Sequence, residues 1–239
     1  MSRLLLVRHA QASFLEQTYD KLSPLGETQS RLLGEFWGRH KLHFDRVASG
    51  PCVRQKDTAA IVAAAYRKVS LNFPELQVMP EFDEYQGEAV MERNLPALLE
   101  SDREIAALHS AFQASGEPQA RRKTFQKLFE AVIGRWVEEK IPSTSIEPWR
   151  DFAARVNAGL TNFLSAGESN ERVAIFTSGG PIGLAVQRAL DLSAQNALRV
   201  SWMAQNSSCS EFLFSSDRFT LSSFNAVPHL DDPATQTYR

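Results

Sequence analysis

Two short apolar runs constrain the fold of this chain more than any other feature. Leu4–Val7 and Val173–Thr177 contain no polar alternation, and a segment with the pattern of a helix follows each run. Strands of this kind are expected in a parallel sheet that is covered on both faces. The helix after the first run begins at Ser23-Pro24, a cap residue followed by proline at the first helical position.

Further strands and helices alternate in the same order. Strands are predicted at Phe44–Ser49, Leu76–Met79, Glu211–Phe214 and Phe219–Phe224, and helices from Pro24 to about His40, after Gly50-Pro51, and over Ile182–Leu190. Such alternation predicts an α/β fold with a mainly parallel sheet and helices on both faces.

One segment breaks this alternation. Residues 89–147 are charged and predominantly helical, and they include the basic run Arg121–Lys123. A charged run on a helix is usually a solvated face, so it does not by itself indicate a ligand. We therefore predict a single domain over residues 1–239, with 89–147 as an inserted helical cap that sets specificity.

Composition and charge argue against several classes of protein. A net charge of −2 over 239 residues lacks the basic excess of nucleic-acid-binding domains. No apolar run approaches the roughly 20 residues of a membrane span. Cys52 and Cys209 provide neither a disulfide framework nor the spacing of a zinc site. We expect a cytoplasmic protein without a nucleic-acid or membrane partner; the oligomeric state stays open.

Three strand ends carry side chains suited to anion chemistry. Arg8 and His9 follow the first strand, Arg54 lies in the first turn of the helix after the second, and the Val173 strand ends in Thr177–Gly180. Ligands of open parallel sheets bind beyond the carboxyl ends of the strands. We therefore expect these groups to meet at one site.

The residue types at these ends indicate a site for a compact dianion. Arginine offers paired planar donors to phosphate oxygens, and a helix N-terminus favours an anion. Arg8 and Arg54 would also lower the pKa of His9, which leaves a ring nitrogen able to attack. Taken singly, each feature also fits a polar strand end, a surface arginine or a tight turn, so the prediction depends on their joint placement.

Other known catalytic and nucleotide-binding motifs do not match the same residues. A serine hydrolase elbow requires glycine two positions before Ser178, where the chain has Phe176. The glycines at 179, 180 and 183 lack the Gly-x-Gly-x-x-Gly spacing of a dinucleotide site, and no Gly-Lys-Ser/Thr phosphate loop is present.

Six segments, in order along the chain, resemble the histidine phosphatase superfamily, also called phosphoglycerate mutase-like. They are Leu6–His9, Ser23–Gly26, Ser49 to Arg54, Glu84-Tyr85, Val173–Gly183 and Asn225 to Leu230. The resemblance covers most of the chain apart from residues 89–147. It implies a three-layer α/β/α sandwich with a mainly parallel sheet and a phosphohistidine intermediate.

The resemblance also implies roles for the residues at the strand ends. His9 would attack phosphorus and carry the phosphoryl group. Arg8 and Arg54 would clamp that group, and Ser178 and Gly179 would bind it at the helix N-terminus. No metal or other cofactor is implied, because the arginines supply positive charge.

The resemblance places the general acid near Glu84. Glu84 would protonate the leaving oxygen and later activate the water. Asp83 and Glu81 are close enough in sequence to leave this assignment open.

The chain departs from the family pattern at two positions. Ala10 stands where the family has glycine after the histidine, a change that is acceptable if the backbone keeps φ negative. Ser178 stands where the family has a second histidine. Loss of one preorganised donor typically costs about 10²–10³ in rate. A serine hydroxyl can replace the hydrogen bond of that histidine but not its charge.

These features predict a phosphomonoester hydrolase that acts on a small phosphorylated substrate through His9, slowed by Ser178. The alternative is a catalytically silent relative that binds phosphorylated ligands or a protein partner. Glu84 favours catalysis, because binding alone needs no proton donor. Full mutase activity is disfavoured, because a mutase must also protect its phosphoenzyme from water.

Overall fold

The structure, a computed structural model, describes residues 1–13, 20–141 and 145–238 and contains a six-stranded sheet. The strands are β1 (Ser2–Arg8), β2 (Arg46–Ser49), β3 (Leu76–Val78), β4 (Arg172–Thr177), β5 (Cys209–Phe214) and β6 (Phe219–Ala226). Their order is β3-β2-β4-β1-β5-β6, with β3, β2, β4 and β1 parallel and β5 and β6 antiparallel. The predicted mainly parallel α/β sheet is confirmed.

Eight α-helices accompany the strands in the described ranges. They are α1 (Pro24–Arg39), α2 (Val53–Lys68), α3 (Gly87–Ser101), α4 (Arg103–Ala114), α5 (Pro118–Val137), α6 (Trp149–Ser165), α7 (Gly179–Leu190) and α8 (Ala194–Met203). Short 3-10 helices cover Pro80–Phe82 and Pro233–Thr235. None of the helices in these ranges is long and apolar enough to cross a membrane.

Helix α1 begins where the sequence predicts. The hydroxyl of Ser23 accepts a hydrogen bond from the Gly26 amide at 3.0 Å, and Pro24 occupies the first helical position. Proline is tolerated there because the first amides of a helix have no partner within the helix. The prediction of a loop at 11–21 falls partly on residues 14–19, which lie outside the described residues.

The two faces of the sheet are covered by different helices. Val7, Ala174 and Phe176 form one buried cluster with Leu33 and Trp37 of α1, and that cluster also includes residues of α2. Side chains alternate along a strand, so the residues next to Val7, Ala174 and Phe176 in β1 and β4 point to the other face of the sheet. Helix α7 packs against β1 and β6 on that face. Central strands covered on both faces explain the apolar runs at Leu4–Val7 and Val173–Thr177.

The chain divides into two compact units. The first comprises Met1–Glu84 and Arg155–Arg239 and contains the whole sheet, and the second is Tyr85–Ala154. The second unit is helical and packs around an aromatic cluster centred on Trp136, whose ring lies 5.1 Å from Tyr85 and 5.2 Å from Trp149. That residues 89–147 act as a cap stays a prediction.

Candidate active site

His9 lies immediately beyond the carboxyl end of β1. Its amide donates to the Thr177 carbonyl of the neighbouring strand β4 at 2.8 Å, and the residue is buried. The ring nitrogen Nδ1 lies 2.8 Å from the Ala10 carbonyl oxygen, and Nε2 lies 3.1 Å from Nε of Arg54. A carbonyl can only accept and a guanidinium can only donate, so these partners assign the proton to Nδ1 and leave a lone pair on Nε2.

The surroundings of His9 hold its pKa well below the usual range. Burial of the ring is the largest cause, the positive charges of Arg54 and Arg8 act in the same direction, and the hydrogen bond to Ala10 opposes them. The imidazole is therefore neutral near neutral pH. A neutral ring with an unprotonated Nε2 is the form in which histidine acts as a nucleophile.

Arg54 is held on two sides. Besides its contact with His9, it donates from Nη1 to Oδ1 of Asp20 at 2.7 Å. The other carboxylate oxygen of Asp20 accepts the Val53 amide at 2.7 Å, at the start of α2. Asp20 is not among the predicted site residues, since nothing in the order of residues indicates that a loop carboxylate meets the N-terminus of a helix.

Thr58 connects the first strand end to α2. Its hydroxyl donates to the Arg54 carbonyl at 2.7 Å and accepts the Ala10 amide at 3.1 Å. Ala10 is fully buried, and it is not among the non-glycine residues with positive φ. Alanine therefore replaces the family glycine here without backbone strain.

Arg8 is buried beside His9 and is held by main-chain oxygens. Its Nη1 donates to the carbonyls of Ala204 and Tyr238, the latter at 2.7 Å. The C-terminal segment that supplies Tyr238 is itself attached to α1, since the buried amide of Gln29 donates to the Thr235 carbonyl at 2.7 Å. The role of Arg8 as a phosphate ligand stays a prediction.

Ser178 occupies the N-cap position of α7 and is fully buried. Its side chain makes no capping hydrogen bond to that helix. Instead, its Oγ accepts a hydrogen bond of 2.7 Å from Nε2 of Gln55. Helix α7 begins at Gly179, three residues before the predicted start at Ile182.

Glu84 is the acidic residue that contacts the N-terminus of α7. Both of its carboxylate oxygens accept from the Gly180 amide, at 3.2 and 3.1 Å. Asp83 faces elsewhere, because its Oδ1 accepts from the Cys52 thiol at 3.0 Å and from the Glu84 amide at 2.8 Å. The backbone at Gly159 of α6 lies against the Cβ of Glu81. The structure therefore brings Glu84, and not its two neighbours, to the helix end where an anion is expected.

Two other histidines of the unit that contains the sheet, His229 and His40, have partners outside the contacts described above. His229 is buried and lies behind the site, with Nε2 2.9 Å from Oγ of Ser207, whose amide donates to the His9 carbonyl. His40 is exposed, with Nδ1 2.8 Å from the Phe36 carbonyl. Within the described part of the chain, no group of His, Cys, Asp or Glu side chains is placed to hold a metal ion.

Solved structures with the same fold cover almost the whole chain. YhfR of Bacillus stearothermophilus has a TM-score of 0.66 at 14% identity, with 97% of this chain and 100% of that one covered. Phosphoserine phosphatase of Entamoeba histolytica has a TM-score of 0.63 at 18% identity, with 96% and 100% covered. Phosphoglycerate mutase of Bacillus anthracis has a TM-score of 0.61 at 16% identity, with 96% and 95% covered.

At such identities, structural similarity establishes the fold and not the activity. A comparison with curated proteins gives no match. The sequence profile of the histidine phosphatase superfamily, branch 1, matches residues 4–120 and 111–227, which together span the sheet and every strand end described above. The chain therefore belongs to the histidine phosphatase superfamily.

Proposed function

We propose that this protein hydrolyses phosphomonoesters through a phosphohistidine on His9. The observation that carries the proposal is the hydrogen bonding of the ring, with Nδ1–H on the Ala10 carbonyl and Nε2 facing Arg54. Burial, with help from the Arg54 charge, keeps the imidazole neutral, and the guanidinium of Arg54 faces the atom that would attack. An arginine in that position can transfer its hydrogen bond to a phosphoryl oxygen when substrate binds.

The reaction would proceed in two steps. Nε2 of His9 forms a bond to phosphorus, the bond from phosphorus to the ester oxygen breaks, and protonated Glu84 gives its proton to the departing oxygen. Water then attacks the phosphohistidine and gives a proton to the Glu84 carboxylate, while the N–P electrons return to Nε2. Throughout, the Ala10 carbonyl keeps the proton on Nδ1 and stabilises the charge on the phosphorylated ring.

The similar structures support a small phosphorylated substrate. One of them is a phosphoserine phosphatase and another a phosphoglycerate mutase. We favour hydrolysis over transfer between two positions of a substrate, because a mutase must hold its phosphoenzyme against water. Ser178 supplies one hydrogen bond at most and no charge for that task.

The contacts of Arg8 favour a second candidate function. Its Nη1 donates to the carbonyls of Ala204 and Tyr238, which compete with a phosphoryl group for that guanidinium. A guanidinium occupied in this way would stabilise a transferring phosphoryl group less, as in a relative that binds phosphorylated ligands without turning them over. Hydrolysis and silent binding differ in one measurable quantity, namely release of inorganic phosphate.

We also infer a reducing location such as the cytoplasm. Cys52 and Cys209 are both free thiols. Burial is the main cause that raises the pKa of each thiol to about 12, so neither is a reactive thiolate near neutral pH.

The proposal predicts that His9→Ala abolishes hydrolysis of an aryl phosphate. Removal of the proposed nucleophile should lower kcat by about 10³-fold or more, because the covalent intermediate would form on His9. His40→Ala is the matched control, since His40 is exposed and lies outside the site, and it should retain the wild-type rate.

Mass spectrometry should show an acid-labile phosphoryl group on the wild type after a rapid quench, and none on His9→Ala. Equal rates for wild type and His9→Ala would reject the phosphohistidine mechanism. Binding of inorganic phosphate by a wild-type protein that releases none from the ester would instead support the silent relative.

A further inference from the structure

Gln55 is a fully buried amide side chain that the mechanism above does not use. It lies in the first turn of α2 and makes three hydrogen bonds. Its Oε1 accepts the Cys52 amide at 3.1 Å, and its Nε2 donates to Oγ of Ser178 at 2.7 Å and to the Phe82 carbonyl at 3.3 Å. These three partners follow β2, β4 and β3, so one side chain links three strand ends.

The two main-chain partners of Gln55 fix the orientation of its amide. The Cys52 N–H can only donate and the Phe82 carbonyl can only accept. A flipped amide would place donor against donor at Cys52 and oxygen against oxygen at Phe82, each a buried unsatisfied contact. The NH₂ end therefore faces Ser178, and the Ser178 hydroxyl acts as the acceptor in that contact.

The hydrogen of the Ser178 hydroxyl is consequently directed away from Gln55. None of the described residues accepts a hydrogen bond from it. Ser178 follows Thr177, which pairs with Arg8 across β4 and β1 and accepts the His9 amide, and the extended backbone of Ser178 continues this register beside His9. Laterally paired residues of parallel strands project to the same side of the sheet. The hydroxyl hydrogen is therefore available on the side where His9 would carry a phosphoryl group.

We infer that Gln55 is a positioning residue that turns Ser178 into a hydrogen-bond donor for the transferring phosphoryl group. The inference rests on the proposed phosphatase function. In this arrangement Gln55 and Ser178 together supply the hydrogen bond that the resemblance assigns to a second histidine. Both side chains are shielded from solvent, where a preorganised donor stabilises developing charge most strongly.

A double-mutant cycle between Gln55 and Ser178 tests the inference. Gln55→Met keeps the approximate length of the side chain and removes the amide, and Ser178→Ala removes the hydroxyl. Each should lower kcat for an aryl phosphate by about 10- to 10²-fold with a smaller change in KM. The double variant should be no slower than Ser178→Ala, because Gln55 acts only through that hydroxyl.

Gln29→Met is the matched control, since Gln29 is also a fully buried amide but binds the C-terminal segment. Its effect on kcat should be the same with serine or alanine at position 178. Gln55→Glu is the second variant, because a carboxylate still accepts the Cys52 amide but presents an acceptor to Ser178. It should also lower kcat, and Ser178→Ala should add no further loss to it.

The inference is wrong if the losses in kcat from the Gln55 and Ser178 substitutions multiply in the double variant. It is also wrong if neither Gln55 variant lowers kcat although the protein is folded. If the wild type is active, His9→Ala is inactive and the Gln55 and Ser178 effects are not coupled, only the role of Gln55 is rejected and the proposed function stands. A wild type whose rate equals that of His9→Ala would reject the proposed function, and the role of Gln55 with it.

Discussion

His9 keeps an unprotonated Nε2 because each of its two partners can play only one hydrogen-bond role. The Ala10 carbonyl must accept from Nδ1, and the Arg54 guanidinium must donate to Nε2. Asp20 adds a second anchor to Arg54 through Nη1, which restricts rotation of the guanidinium. The tautomer of the proposed nucleophile thus depends on a loop carboxylate 34 residues from the arginine.

At position 178, the space left for a larger side chain is limited by Gln55. Ser178 has no exposed surface and lies 2.7 Å from the Gln55 amide nitrogen. We predict that Ser178→His alone overpacks this region, destabilises the protein by about 1–3 kcal/mol and gives no gain in turnover.

Removal of the Gln55 amide should make space for the imidazole of a histidine at position 178. The double variant Gln55→Ala, Ser178→His should regain the lost stability and exceed the kcat of Ser178→His. Urea unfolding and steady-state kinetics on the three proteins check this prediction. A higher turnover from Ser178→His alone would mean that Gln55 does not limit the space.

Among the elements, α1 and α2 pack against each other and against one face of the sheet. Their contact is close at Gly34, where a Cβ would lie 2.7 Å from the Cβ of Ala65 and 3.0 Å from the backbone of Val62. Glycine is disfavoured inside a helix, so its place in α1 is explained by this close approach to α2. Arg54 lies at the start of α2, and the distance between these helices therefore affects the site.

The two mid-helix glycines Gly34 and Gly134 make a matched test of this packing. Gly134 lies inside α5, and a Cβ there would meet nothing within 4 Å. Gly134→Ala should stabilise the protein by about 0.5–1 kcal/mol through helix propensity alone. Gly34→Ala should instead destabilise it by about 1–3 kcal/mol, because the added methyl group forces α1 and α2 apart.

The free energy of unfolding in urea, followed by circular dichroism, measures both effects. Stabilisation by Gly34→Ala similar to that of Gly134→Ala would show that the α1–α2 contact adjusts without cost.

The element boundaries show where local sequence signals are sufficient. The start of α1 was predicted correctly, because Ser23 and Pro24 are local signals. Helices α6 and α8 were not predicted, and the start of α7 was placed too late. The reason in α7 is tertiary, since its glycines and proline disfavour a helix locally. At Gly183, a Cβ would lie 2.5 Å from the Ala197 carbonyl of α8, so close helix packing stabilises a sequence with poor propensity.

Across the whole molecule, buried neutral histidines couple stability to pH. Burial lowers the pKa of His229 to about 4, and burial together with two arginines lowers that of His9. In the unfolded chain both rings titrate near 6.5. Below that pH the unfolded state binds more protons than the folded state, so the free energy of unfolding decreases as the pH falls.

For His229 the window runs from about pH 6.5 down to about pH 4. Its contribution to the loss of stability between pH 7 and pH 5 should be about 2 kcal/mol. His229→Gln removes the titrating group, so its free energy of unfolding should depend less on pH over this interval by that amount. Urea unfolding at the two pH values measures the difference.

His40→Gln is the matched substitution at an exposed histidine, and it separates the effect of burial from that of the substitution itself. If the free energy of unfolding of His229→Gln depends on pH as strongly as that of the wild type, His229 is protonated equally in the folded and unfolded states.

The class of the sheet and the strand ends that carry the candidate site follow from local signals in the sequence. Apolar runs, helix caps and the residues that follow each strand are local signals, and parallel strands bring their carboxyl ends to one edge. His9, Arg54 and Glu84 could be predicted as site residues on that basis and from the resemblance to the family.

The hydrogen-bond partner of each of these side chains could not be predicted before the three-dimensional structure was known. Gln55 meets Ser178 across 123 positions, and Arg8 meets the Tyr238 carbonyl across 230. No periodicity or spacing encodes such contacts, because they depend on how the strand-end loops and the C-terminal segment come together in three dimensions. The direction of each donor, and hence the form of the proposed nucleophile, follows from that assembly.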